Sequence, residues 1–277
     1  MMPMSAELPD PVSGAGEAFV GMDEGVDEVD DVDPAAIESV PATREVPPSP
    51  EDAKKAERLI LGPVEPIVIE QYRKLVVSLS QMEVERESRI VMVASAMAGE
   101  GKSLTAANLA LTLSASFRRQ VLLIDADLRR PTIHTVLQIP NGSGLHEALM
   151  SPEPQRPSLV QYSPTLTVLT AGQANGDPMA LLTSDRMRAI LEQAGAKFEW
   201  VVIDTPPAGL LPDANVLAEM VDLILLVIAA GSTPFPTVRR AVDALDAKRI
   251  AGVVLNRVAA IPSSTYHGYY DYARAAR

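Results

Sequence analysis

Ile90-Val91-Met92-Val93-Ala94, followed by Ala96-Met97-Ala98-Gly99-Glu100-Gly101-Lys102-Ser103, decides the fold. An unbroken apolar run gives way to a glycine-containing turn, and Lys-Ser then opens an amphipathic stretch. This is the layout of a P-loop: backbone N–H groups and a helix N-terminus cradle phosphates, the Lys neutralises them, and the Ser hydroxyl ligates Mg²⁺. Ala96 stands where the pattern G-x-x-x-x-G-K-[ST] opens with Gly. The motif therefore needs support from the rest of the chain.

Two acidic motifs supply it. Val121-Leu122-Leu123-Ile124 runs into Asp125-Ala126-Asp127-Leu128-Arg129-Arg130-Pro131, and Trp200-Val201-Val202-Ile203 runs into Asp204-Thr205-Pro206-Pro207. In an open parallel sheet, ligands bind outside the carboxyl ends of the strands, so residues just past each apolar run face the site. A Mg²⁺-nucleotide needs hard oxygen ligands there, and Mg²⁺ is held by few protein groups. Three Asp residues converging on a P-loop point to nucleotide binding.

Working outward, apolar runs alternate with helical patterns. Strands are expected near 89–95, 120–125, 166–170, 199–204, 222–229 and 250–255. Helices are expected near 67–79, 102–116, 178–195, 211–219 and 235–246, with short pieces at 51–60, 131–137 and 144–150. Runs without polar alternation belong to strands buried on both faces, hence to a mostly parallel sheet covered by helices. The expected fold is α/β: a single doubly wound P-loop NTPase domain, residues 59–262, between a disordered acidic, Pro-rich tail (1–58) and a tyrosine-cluster tail (263–277).

The net charge of −12 is concentrated at one end. Residues 1–50 hold twelve Asp/Glu against Arg44 alone, and eight Pro, with no periodic apolar pattern. Such a segment cannot bury enough surface to offset its ordering entropy. The rest of the chain has no basic stripe, which argues against nucleic acid as a partner. There is no Cys, which excludes disulfides and thiolate metal sites. No signal peptide is visible, and the longest strongly apolar run, Leu223 to Ala230, falls far short of the ~20 residues that span a bilayer. The chain reads as cytoplasmic.

Four of the six tyrosines, Tyr266, Tyr269, Tyr270 and Tyr272, fall in the last twelve residues, among Ser263, Ser264, His267 and Gly268. A core would not concentrate its tyrosines in a polar terminus. Either they pack on the domain or a neighbouring chain, as interface tyrosines do, or they are phosphorylatable hydroxyls beside an ATP site.

With these motifs in view, the chain resembles the bacterial tyrosine kinases of capsule and exopolysaccharide synthesis, the cytoplasmic Wzc/CapB-type autokinases. The resemblance covers about residues 66–277. Ser95–Ser103 resembles the family's Walker A, Leu123–Pro131 its Walker A′, Val202–Pro207 its Walker B, and Gly252–Val258 its adenine-side segment. The tyrosine tail resembles its autophosphorylation cluster. Two departures stand out: Ala98 replaces a customary Pro, and the ring-forming Glu-x-x-Arg-x-x-Arg helix reads Glu70-x-x-Arg73-x-x-Val76.

The resemblance implies an ATP- and Mg²⁺-dependent protein-tyrosine kinase. Its nucleotide site would comprise Ala98, Gly99, Glu100, Gly101, Lys102, Ser103 and Leu104, with Asn256 on the adenine. Ser103 and Asp204 would hold Mg²⁺, with Asp127 assisting through water, and Asp125 would accept the proton of the attacking tyrosine. Lys102, Asp125, Asp127 and Asp204 are thus the catalytic set, and Tyr266, Tyr269, Tyr270 and Tyr272 the acceptors. Implied partners are a transmembrane polysaccharide co-polymerase acting as chain-length regulator and activator, a tyrosine phosphatase, and further copies of the chain. The location is then the inner face of the plasma membrane, through the membrane partner. Two other functions share the motifs. A MinD/ParA-type positioning ATPase carries a signature Lys where this chain has Met97, and a non-catalytic adaptor would not need the intact Lys and Asp set.

Overall fold

The computed structural model describes residues 56–84, 87–151, 157–173, 176–209 and 213–258, together with the backbone of 39–41. The expected tyrosine acceptors at 266–272 and almost all of the acidic tail lie outside the described residues.

Chain order among these residues is β1 (Ser39–Pro41), α1 (Pro66–Ser80), β2 (Arg89–Ser95), α2 (Lys102–Leu111), β3 (Val121–Asp125), α3 (Ile133–Leu137), α4 (Leu145–Met150), β4 (Leu159–Ser163) and β5 (Leu166–Leu169). Then follow α5 (Pro178–Leu182), α6 (Asp185–Lys197), β6 (Trp200–Asp204), α7 (Asp213–Ala218), β7 (Leu223–Ala229), α8 (Phe235–Ala244) and β8 (Ile250–Asn256). The strands form one sheet in the order β1-β4-β5-β3-β6-β2-β7-β8. Every pairing is parallel except β4 with β5.

The uninterrupted apolar runs are explained by the two faces of this sheet. Side chains alternate along a strand, so Ile90, Met92, Leu122, Ile124, Val201 and Ile203 enter one core while Val91, Val93, Val121, Leu123, Trp200 and Val202 enter the other. The first core is covered by α4 to α8 through residues such as Leu145, Leu182, Leu191, Leu217 and Ala241. The second is covered by α1, α2 and α3, with Leu79, Leu109 and Ile133 fully buried. This is the doubly wound arrangement expected from the sequence.

Several local departures have identifiable causes. The stretch expected as one helix over 178–195 is two, because Ser184 stops α5 and caps α6, its Oγ accepting from Met187 N–H at 3.3 Å. The expected helix over 102–116 is α-helical only to Leu111, and Thr112–Ser116 continues as a π-turn. The Thr112 hydroxyl there donates back to the Asn108 carbonyl at 2.7 Å. Strand β4 was not expected: Leu159-Val-Gln-Tyr-Ser163 is mixed in polarity and mostly half-buried, so it lacks the apolar run that marks the central strands. The backbone of β1, within the acidic segment, pairs with β4 and likewise had no sequence signal. Of the short helical piece expected at 51–60, residues 51–55 lie outside the described residues, and 57–60 form turns.

Candidate active site

Strand order places the P-loop in the middle of the sheet. It leaves the carboxyl end of β2, whose neighbours are β6 and β7. Its backbone turns through positive φ at Gly99 (80°) and Gly101 (99°), a region that side-chain-bearing residues rarely adopt. At Gly99 a Cβ would meet nothing within 4 Å, so the loop there is open toward a ligand. At Gly101 it would come within 2.1 Å of Asn256 Nδ2, so that glycine is fixed by space as well as by torsion. Helix α2 begins at Lys102, aiming its first amides at the space above the loop.

Register assembles the carboxylates. Asp125, last residue of β3, pairs directly with Asp204, last residue of β6, and Asp204 pairs in turn with Val93 of β2. Lys102 Nζ then sits 2.8 Å from Asp127 Oδ2, 3.3 Å from Asp204 Oδ1 and 3.3 Å from Ser103 Oγ. Burial disfavours the ammonium, but the charges of Asp204 and Asp127 outweigh it, and the Lys102 pKa lies above its ordinary value.

The three Asp residues are not equivalent. Asp127 lines a cavity of about 640 Å³, together with Lys102 and Ser103. Asp125 is fully buried, and its Oδ2 accepts from the Thr132 and Ile133 amides at 3.0 and 2.9 Å, anchoring the start of α3. Burial, and next the charge of Asp204, push the Asp125 carboxyl up to about 8 in spite of those amides. Burial raises the Asp204 pKa as well, opposed by Lys102. Its Oδ2 is buried without a hydrogen bond of normal geometry. An oxygen in that condition, beside a serine hydroxyl and one further carboxylate, fits an oxygen-preferring divalent cation. Among the described residues no three His, Cys, Asp or Glu side chains form a ready-made cage. Mg²⁺ does not require one, since it keeps waters and takes phosphate oxygens.

The remaining expected site residues separate into two groups. Ala98, Gly99, Gly101, Lys102, Ser103 and Leu104 line the cavity, whereas Glu100 and Asn256 do not. The Glu100 carboxylate turns away, accepting from the amides of Met97 at 2.6 Å and Ala229 at 3.1 Å and from the Thr233 hydroxyl. It straps the loop to the end of β7. Asn256 Nδ2 donates to the Glu100 carbonyl at 2.7 Å, so in this arrangement the residue expected on the adenine braces the phosphate loop. Arg257 donates to the Gly99 carbonyl beside it.

Sequence reading assigned no role to several residues found here. Arg129 makes a two-pronged ion pair with the fully buried Asp213 at 2.6 and 3.2 Å, tying the β3 loop to α7. Arg58 and Arg130 line the cavity too. Asn108, 2% exposed on α2, clamps the segment that carries Arg58: its Oδ1 accepts from Ile60 N–H at 2.9 Å and its Nδ2 donates to the Arg58 carbonyl at 3.2 Å. The Arg-Arg pair in the acidic motif was a signal for Arg129 and Arg130. Nothing local marks Asn108, whose partners are about fifty residues away.

In the altered ring motif, Arg73 pairs with Glu70 at 2.6 Å on the exposed side of α1, while Val76 is 1% exposed in the core. No helix among the described residues is long and apolar enough to cross a membrane.

Residues 86–272 match the model of the ParA family, described as NUBPL iron-transfer P-loop NTPase. The tyrosine-protein kinase YwqD of Bacillus subtilis is 35% identical over 221 residues, covering 78% of this chain and 92% of that protein. The putative tyrosine-protein kinase CapB of Staphylococcus aureus is 31% identical over 206 residues, covering 73% and 90%. The succinoglycan biosynthesis transport protein ExoP of Rhizobium meliloti is 33% identical over 211 residues, but the match takes in only 27% of that longer protein. Among solved structures, the kinase domain of the Escherichia coli tyrosine kinase ETK superposes with a TM-score of 0.64 at 32% identity, covering 70% of this chain and 77% of that one. The chimerical protein CapA2B2 does so with 0.63 at 27%, covering 74% and 91%. The P-loop, the paired Asp motifs and these likenesses agree: the chain belongs to the bacterial tyrosine-protein kinases, built on a ParA-type P-loop NTPase core.

Proposed function

We propose that this chain is an ATP-dependent protein-tyrosine autokinase of exopolysaccharide or capsule synthesis, transferring the γ-phosphoryl group to Tyr266, Tyr269, Tyr270 and Tyr272. The observation that carries the reading is Lys102 held between Asp127 and Asp204, beside Ser103, at the mouth of an open glycine loop. The names of the relatives, tyrosine-protein kinases and a succinoglycan transport protein, support the reaction and its setting.

The amides around Gly99 and Gly101 and the Lys102 ammonium bind and orient the phosphate chain. Ser103 and Asp204, with Asp127, are the residues that would hold Mg²⁺, which when bound neutralises charge on the phosphate oxygens. A phenol of pKa about 10 is a weak nucleophile at neutral pH, so a carboxylate at the acceptor contributes a typical ~10²–10⁴-fold. The tyrosine oxygen attacks the γ-phosphorus as its proton passes to that carboxylate, the bond to the β–γ bridging oxygen breaks, and ADP leaves with that electron pair. The carboxylate on the cavity wall is Asp127, and we assign it first contact with the phenol. Asp125, which the family resemblance puts forward as proton acceptor, stands behind it and positions α3. Asn256 reaches an adenine only by sharing its amide with the Glu100 carbonyl. Positioning and charge neutralisation supply most of the acceleration.

The same reading includes a transmembrane co-polymerase as activator at the inner membrane face, a counteracting tyrosine phosphatase, and self-association. For the co-polymerase, the support is the likeness to the CapA2B2 chimera and to ExoP. The test is incubation with Mg²⁺-ATP, with and without a candidate activator tail, and location of phosphate by mass spectrometry. Phosphate on Tyr266–Tyr272 that disappears in Asp204→Asn is expected. Phosphate confined to Ser or Thr, or nucleotide turnover with no protein phosphorylation, overturns it in favour of a ParA-like ATPase.

A further inference from the structure

The cavity reaches beyond what a phosphate chain needs. Its wall carries four cations, Arg58, Lys102, Arg129 and Arg130, against the single carboxylate of Asp127. Two of the four are committed elsewhere: Lys102 to Asp127 and Asp204, and Arg129 to Asp213. Arg58 and Arg130 are exposed side chains on the same wall. Leu104, Val136 and Pro207 provide its apolar part.

Topology says which end of the nucleotide this is. The P-loop strand β2 lies between the β3–β6 side and the β7–β8 side of the sheet. Asn256, at the end of β8, belongs to the second side, where the base is expected. Arg130, Thr132 and Val136 follow β3 on the first side, and Arg58 is fastened there through Asn108 of α2. The cavity therefore opens where the transferred phosphoryl group and its acceptor meet. An apolar wall with guanidinium groups suits an aromatic ring, which packs on apolar groups and stacks on Arg. The remaining positive charge suits an anion attached close to that ring.

We propose that Arg58 and Arg130 read a carboxylate next to the acceptor tyrosine, so that the kinase selects tyrosines flanked by Asp or Glu. The inference rests on the autokinase reading and deepens it by naming the acceptor's chemistry. The occupant is the chain's own C-terminal segment, from this or a second copy. Residues 259–277 contain one acidic residue, Asp271, and it stands between Tyr270 and Tyr272. Those two tyrosines are the preferred acceptors, ahead of Tyr266 and Tyr269. Arg58 is a specificity residue supplied by a segment upstream of the P-loop, and Asn108 fixes its position by gripping backbone on both sides of Leu59.

The test is peptide binding without turnover. A fluorescent peptide of residues 263–277 is titrated by anisotropy into the full chain with Mg²⁺ and a non-hydrolysable ATP analogue. Asp271→Asn in the peptide and Arg58→Gln in the protein should each weaken binding about three- to tenfold, as expected for a charge-assisted contact near solvent. Combined, they should weaken it by less than the product of the two separate losses, since Arg130 still faces Asp271 when Arg58 is gone, and Arg58→Asp should bind the Asp271→Arg peptide better than it binds the native one. Arg130→Gln provides the same comparison in a second variant, should Arg58 substitutions disturb the 56–62 segment. Independent, multiplicative losses from protein and peptide changes, or no loss from either, overturn the proposal. Coupled losses in a chain that never phosphorylates tyrosine would sustain this docking site while sinking the kinase reading. Tyrosine phosphorylation indifferent to Asp271 and Arg58 would do the reverse.

Discussion

Replacing Lys102 by Met is the customary way to silence a P-loop, and here the structure gives it a second effect. The ammonium sits 2.8 Å from Asp127 and 3.3 Å from Asp204, with side-chain exposures of 10%, 6% and 0% for the three. Removing one partner of a buried ion pair costs about 3–5 kcal/mol, because the remaining charge stays desolvated and unpaired. Whole-domain stability is about 5–15 kcal/mol, so Lys102→Met should be visibly destabilised as well as inactive. The penalty must depend on pH. Burial has already raised Asp125 to about 8 and Asp204 above its ordinary value. Without Lys102 the carboxyls hold their protons to still higher pH. A group whose pKa is raised by folding loses its stabilising contribution as pH rises, at up to about 1.4 kcal/mol per unit and per proton. Urea denaturation at pH 5.5 and pH 8 should therefore show a small deficit at the lower pH and the larger part of the penalty at the higher. Adding Asp127→Asn to Lys102→Met removes one orphaned charge and should recover about half of the loss while nucleotide binding stays absent. Equal deficits at both pH values, or no recovery in the double variant, would refute the charge balance drawn for this site.

Two further outcomes follow from the neighbouring contacts. Asp125→Asn keeps an acceptor for the Thr132 and Ile133 amides but removes the carboxyl that titrates near 8; the fall in wild-type stability between about pH 5 and pH 8 should flatten in thermal melts of this variant. A slope left unchanged would assign it to other groups. Arg129→Ala strands the fully buried Asp213, and the cost should lie toward the low end of about 3–5 kcal/mol because the guanidinium is partly exposed; chemical denaturation reads it, and Asp213→Asn in the Arg129→Ala background should restore part of it.

The central strands were legible because burial on both faces demands continuous apolar runs, and β2, β3, β6 and β7 have them. The chemistry was legible because P-loop glycines, Lys102, Ser103 and the strand-end Asp residues are local patterns. What escaped was held by partners far away in sequence. Glu100 occupies a nominally variable P-loop position, yet its carboxylate belongs to Ala229 and Thr233 across the site. Asp213 belongs to no local motif, and its partner Arg129 stands 84 positions earlier. Strand β4 escaped for the opposite reason: lying near the sheet edge, it needs little apolar content, and its sequence carries little. The distinction between Asp125 and Asp127, two residues apart on one motif, depends on where α3 begins, and that is a tertiary fact.

Gly101 and Asn256 meet so closely that their histories are joined, and unequally. A smaller residue at 256 would clear the space that a Cβ at 101 needs, yet the backbone at 101 would still stand at φ 99°. Position 101 is thus closed to change whatever happens at 256, whereas position 256 is limited by what can lie flat against a glycine and still reach the Glu100 carbonyl. Substitutions can accumulate on the strand side of this contact and never on the loop side. Divergence among such chains should accordingly be sought at the end of β8, with the loop itself as the fixed reference against which it is measured.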